Sequence, residues 1–242
     1  MSGRTIVVGD VHGCRAELER LLSAVRLAPG DRLVFVGDLV ARGPDSLGVL
    51  EVVRQTGAQV VRGNHEAKLL AWRSARPELR CDLPISKHHA ELAASLREED
   101  WQLLARSTLW VDLPAHGLRV VHAGVVPGVA IERQAERNLL HMRCLTADGE
   151  ASEDKWSDAP LWGSRYSGPP HVVFGHNARA EAQLHRWATG IDTGCVYGGS
   201  LTALVLQEGE QLSQGTDVRT KLHQEKASRV HFIPGRAPPP NA

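Results

Sequence analysis

The strongest constraint on how this chain folds is a pattern that recurs three times within residues 5–66. A short, almost wholly apolar run ends in a glycine-flanked polar cluster: TIVVGDVHG, RLVFVGDLVARG and AQVVRGNHE. Between the runs lie two amphipathic segments. In RAELERLLSAVRL, Leu18, Leu21, Leu22 and Val25 fall at helical spacing before the Pro29-Gly30 stop, and DSLGVLEVVRQ is closed by Gly57. Strands that are apolar on both faces and alternate with helices predict parallel pairing with both sheet faces covered. The carboxyl ends of such strands share one edge, where ligands of open α/β folds bind. The polar clusters therefore meet there, although they are far apart in sequence.

Residues 66–106 read as a mostly helical insert broken at Pro77 and Pro84. LWVDLPA, LRVVHAG, HVVFGH, HRWATGIDTG and LTALVL read as further strands, several of them adjacent and expected to be antiparallel. Residues 128–170 read as loops with a short helix, and the end of the tail, residues 235–242, as disordered. A single domain over 1–242 accommodates all of this. The formal net charge is zero, so no global basic field recruits nucleic acid, and a polyanionic substrate has to be held locally. Neither a membrane span nor a signal peptide is read at the start of the chain. Four cysteines without a C-x-x-C pair are expected to be reduced thiols in a cytoplasmic protein.

Two later runs repeat the motif, ending in His122 and His176 beside glycines. Asp10, His12, Asp38, Asn64, His122 and His176 together offer two carboxylates, an amide oxygen and three imidazoles. This mixed set suits Mn, Fe, Zn, Co or Ni better than Ca or Mg. Six ligands exceed the need of one tetrahedral ion and suit two divalent transition-metal ions sharing a carboxylate. A lone Gly-Asp turn or a lone histidine after valines is ordinarily structural, but five at the same end of apolar strands are not. Cys14 is set aside as a ligand because oxygen and imidazole donors dominate around it. His88, His89, His141, His171, His185, His223 and His231 lack the strand-end glycine setting and read as ordinary, and Asp192 reads as structural.

In the order GDVHG, GDLVARG, GNHE, VHAG and FGH, these motifs resemble the calcineurin-like metallophosphoesterases over about residues 5–206, within the phosphoprotein phosphatase branch. GDLVARGPDSLGVL, MRCLTADG and GIDTGCVYGGSLTALVL resemble the bacterial symmetrical diadenosine tetraphosphatases of that branch. The resemblance implies a four-layer α/β/β/α sandwich of mixed sheets with flanking helices, rather than one doubly wound sheet. It also implies one metal at Asp10, His12 and Asp38, and a second at Asp38, Asn64, His122 and His176. Manganese is expected first, with Co, Ni, Fe or Zn as alternatives. The implied reaction cleaves diadenosine tetraphosphate to two ADP with water activated between the ions; the alternative is a phosphoprotein phosphatase on the same site, and a metal-binding scaffold is a third reading.

His65 is the expected general acid, and Arg42 and Arg143 are expected to clamp phosphate. Tyr197 closes the pocket by analogy with an aromatic of the family. One departure stands out. Ala41 occupies a position where protein phosphatases of this branch carry the aspartate that orients the catalytic histidine, which leaves His65 without that partner. Glu66 departs the other way, toward the protein phosphatases.

Overall fold

The computed structural model describes residues 3–76, 78, 80, 85–154, 158–212 and 217–232. The tail read as disordered and the prolines 77 and 84 lie outside these residues. Two five-stranded sheets carry the fold. The first runs β12 (Leu222–Lys226), β11 (Ser200–Leu206), β1 (Thr5–Val8), β2 (Arg32–Phe35), β3 (Gln59–Val60). The second runs β4 (Trp110–Leu113), β5 (Leu118–Val121), β8 (His171–Phe174), β10 (Ala188–Gly190), β9 (Gln183–Leu184). A separate small hairpin pairs β6 (Cys144–Leu145) with β7 (Ala151–Ser152).

Strand alternation explains the layers. Ile6, Val8, Leu33 and Phe35 point outward into a core shared with α1 (Arg15–Ala24) and α2 (Ser46–Thr56), where Leu18, Leu21, Val49 and Leu50 are buried. Their neighbours Val7, Val34 and Leu204 point inward and meet Val120, Val173 and Leu118 of the second sheet. On its far side the second sheet turns Val121, Val172 and Phe174 to Trp162 and to Leu139 of the short α6 (Glu136–His141). Each such buried aliphatic contributes roughly 1.5–3 kcal/mol, which is what makes a both-faces-apolar strand stable only between two layers. The four-layer sandwich is thus present, with a thin outer layer beyond the second sheet.

Among the described residues of this stretch lie α3 (Asn64–Ser74), α4 (Lys87–Ser95) and α5 (Glu98–Ala105). Pairing of β1, β2 and β3 is parallel, as the pattern predicts. The expectation of antiparallel pairing among the later strands is corrected in part: β5, β8 and β10 run parallel to one another, while β4, β9 and β11 pair antiparallel. The connection from β5 to β8 spans residues 122–170 and contains α6, long enough for a crossover rather than a hairpin. Parallel strands therefore end along one edge in both sheets, and that edge carries the polar clusters. Among the described residues, no helix is long and apolar enough to cross a membrane.

Candidate metal centre and catalytic site

Asp10 follows β1, Asp38 follows β2, Asn64 opens α3 after β3, His122 follows β5 and His176 follows β8. The turns that present these side chains are backbone-strained. His12, Asp38, Ala41, Arg42 and His176 have φ values of 48, 48, 69, 70 and 64°, and among the described non-glycine residues only Arg26 joins them in the left-handed region. Gly63 shows how tight the packing is: a Cβ there would lie 2.2 Å from Asp38 Oδ1.

Asp38 is buried and turns one oxygen each way. Its Oδ2 lies 3.5 Å from His12 Nε2 and 4.0 Å from His65 Nε2, while its Oδ1 lies 3.6 Å from His122 Nε2. Two potential ligand groups result, His12–Asp38–His65 and Asp38–His122–His176, within each of which the donor atoms lie no more than 4.8 Å apart. Asp10 lies outside both triads; its carboxylate accepts the His176 backbone N–H at 3.1 and 3.2 Å.

The ring nitrogens are aimed by carbonyls. His122 Nδ1 donates to Val36 O at 3.0 Å, His12 Nδ1 to Val40 O at 3.2 Å, and His176 Nε2 to His141 O at 3.1 Å. A carbonyl only accepts, so each opposite nitrogen presents a lone pair to the site. His122 Nε2 and His176 Nδ1 both face Asn64 Oδ1, at 3.1 and 3.0 Å. With the amide oxygen inward, these acceptors and Asp38 Oδ1 converge with no proton among them, an arrangement that a cation stabilises. The donor set therefore fits a metal.

Electrostatics agree. Burial, reinforced by Arg42, brings His12 down to about 3, and burial also lowers His122 and His176, so the lone pairs of these three are free at neutral pH; burial lowers His65 as well. Burial pushes against ionisation of Asp38, but His122, His65, His12 and Arg42 outweigh it and hold the carboxyl well below its usual range. Burial, then Asp192 and Asp38, raises Asp10, and burial lifts Asp192 to about 6. The Asp38 charge raises both Asp10 and Asp192, a repulsion that bound cations would relieve.

Arg42 reaches into the site, its Nη1 2.7 Å from His12 Nε2, and its guanidinium lies 5.7 Å from the Tyr197 ring and 5.8 Å from that of Phe232. Arg143 is half-buried and donates at 3.3 Å both to His176 O and to Asn177 Oδ1. Arg42, Arg143 and Tyr197 line a cleft of about 300 Å³ together with Asn64, His176 and Lys68. Every residue singled out from the sequence is thus gathered at one place.

Other residues reach the site as well. Asp192, read as structural, lines the cleft, and its Oδ1 accepts the Gly194 N–H at 3.0 Å. His88 and His89, read as ordinary, touch the site from α4: His88 Nε2 accepts the Arg42 N–H at 2.8 Å, and His89 Nε2 lies 2.9 Å from His65 Nδ1. Glu66 is fully buried; Oε2 accepts the N–H groups of Asp38 and Gly63, and Oε1 those of Leu39 and Val40. Lys68, one helical turn beyond Asn64, shares the face of α3 turned to the cleft, a signal its spacing carries.

The family model described as calcineurin-like phosphoesterase matches residues 3–226. The symmetrical bis(5'-nucleosyl)-tetraphosphatase of Chromohalobacter salexigens is 33% identical, with 85% of this chain and 96% of that protein covered. The asymmetrical bis(5'-nucleosyl)-tetraphosphatase of a Geobacillus strain is 30% identical, with 86% and 92% covered. A crystal structure of a candidate diadenosine tetraphosphatase superposes with a TM-score of 0.78 at 38% identity, covering 94% of this chain and 95% of that one.

Proposed function

The chain belongs to the calcineurin-like phosphoesterase family, and on that premise we propose that it hydrolyses dinucleoside polyphosphates, cutting diadenosine tetraphosphate at its centre into two ADP. The observation that carries the reading is Asp38, whose two oxygens face two different ligand groups and so suit a shared ligand of two ions. Asp10 and His12 would complete the first set, and Asn64, His122 and His176 the second. Manganese comes first among the ions that accept such donors, and when bound the pair supplies a nucleophile from water and neutralises phosphoryl oxygens.

The protein's own groups do the rest. Arg42 approaches from the His12 side and Arg143 from the His176 side. Phosphates on both flanks of the reacting phosphorus can then be gripped, which supports cleavage in the middle of a phosphate chain. Tyr197 holds the Arg42 fork from below. His65, with Nε2 turned toward Asp38, protonates the departing oxygen. The names of the tetraphosphatase relatives favour a nucleotide substrate. The buried free thiols of Cys14, Cys144 and Cys195 suit the reducing cytoplasm.

Chromatography of the products made from diadenosine tetraphosphate with manganese tests the assignment. Two ADP is the expected outcome. AMP with ATP would overturn the central cut, and turnover of phosphopeptides alone would overturn the nucleotide substrate. His65→Asn is expected to lower kcat by about 10²–10⁴-fold with metal content unchanged. Wild-type turnover in that variant would remove His65 from the chemistry.

A further inference from the structure

A histidine that gives up a proton from Nε2 does so as the imidazolium and keeps a proton at Nδ1, which needs an acceptor to hold the ring in place. Position 41, from which an orienting aspartate would act in the protein phosphatases, holds a fully buried alanine. What faces His65 Nδ1 instead is another imidazole, His89, with its Nε2 2.9 Å away. The two ring planes are nearly parallel, 17° apart with centroids 4.9 Å apart, and the two nitrogens lie within hydrogen-bonding distance. Both residues are buried, each at 6% exposure.

His89 is itself aligned. It lies in the first turn of α4, and its Nδ1 is 2.7 Å from Oγ of Ser86, the residue that caps the helix. That hydroxyl accepts the His89 backbone N–H at 3.4 Å and keeps a second lone pair for an N–H from Nδ1. A relay that serves an acid runs outward from it: His65 Nδ1–H to His89 Nε2, then His89 Nδ1–H to Ser86 Oγ. The Nε2 of His65 is thereby turned to the side of Asp38.

We propose that His89, ordered by Ser86, is the positioning residue of His65, fixing the plane of its ring and accepting the Nδ1 proton that His65 keeps when it gives up the one at Nε2. This rests on His65 being the general acid. The same helical turn also holds the clamp, because His88 accepts the Arg42 N–H.

The test uses His89→Leu, which fills the space without a hydrogen-bonding group, and His89→Gln, which keeps an amide oxygen as acceptor. Both are assayed with diadenosine tetraphosphate and manganese, beside H65N and the H65N/H89L double variant. H89L is expected to lower kcat about 10–100-fold with KM and metal content unchanged, H89Q to recover most of the loss, and the double variant to be no slower than H65N. Independently of turnover, ¹⁵N-histidine NMR with zinc present should show neutral His65 protonated at Nδ1 in the wild type and a mixture of tautomers in H89L.

Wild-type-like turnover in H89L, a loss that adds to that of H65N, or an unchanged tautomer would each overturn the proposal. Should H89L not fold, Ser86→Ala carries the test: a severalfold loss confined to kcat supports the relay, and no change overturns it. An unimpaired H65N removes the acid and the reading beneath it. An impaired H65N beside an unimpaired H89L removes His89 alone.

Discussion

Glu66 holds the Asp38 turn open by accepting four backbone N–H groups, from Asp38, Gly63, Leu39 and Val40, in a fully buried position. Exchanging it for glutamine puts an N–H₂ against N–H donors, so Glu66→Gln is expected to cost about 2–3 kcal/mol in denaturant unfolding. It should also weaken metal binding, since Asp38 loses its brace; equilibrium titration with manganese checks this. Gly175 makes the same point sterically, because a Cβ there would fall 1.9 Å from Asp10 Oδ1. Gly175→Ala should weaken metal binding about 10–100-fold with little change in helix content, as measured by calorimetry and circular dichroism. The metal-set candidates are legible in the sequence because each ends an apolar run beside glycine. His88 and His89 carry no such mark, and Glu66, although inside the GNHE cluster, shows its bracing role only once folded: these roles come from where α3 and α4 pack, a tertiary fact that no local pattern records.

At the scale of elements, the first helix is tied to the end of the described chain through Glu17. Its Oε1 accepts the backbone N–H of Ser228 at 3.1 Å and its hydroxyl at 2.8 Å, and lies 3.2 Å from His231 Nε2. Burial acts to raise this carboxyl, yet these bonds overcome it and bring it to about 2. A carboxyl depressed in the folded state stabilises above its unfolded value and loses that contribution as pH falls toward the folded one. Wild-type stability should therefore fall between about pH 4.5 and 2 more steeply than that of Glu17→Gln, as read by acid titration of unfolding. The same segment shows where elements were illegible. β12 reads LHQEK, too polar to announce a strand, because it is an edge strand with one side in water. The parallel direction of β5, β8 and β10 was equally hidden, since direction depends on the crossover that returns the chain and not on the strand's own residues.

At the scale of the whole molecule, the layers were legible wherever a strand was apolar on both faces, and the thin outer layer was not, since Trp162 and Leu139 fill it from loops and one short helix. The proposed ligands Asp10, Asp38 and Asn64 come from one sheet and His122 and His176 from the other, so ions held there would join the two. Manganese at 100 times its dissociation constant adds about 2.7 kcal/mol, or roughly 5–10 °C in Tm. Chelation should reverse the rise, Asp38→Ala should abolish it, and differential scanning calorimetry checks both. The division of the ligands between sheets has a mechanical corollary. The sheets meet through side chains such as Val34 and Val120, without a shared backbone ladder, so the thickness of that greasy filling sets the gauge of the ion pair. A substitution there that adds bulk and carries no polar atom would act as a wedge, prising the jaws apart and changing which ionic radius the enzyme prefers.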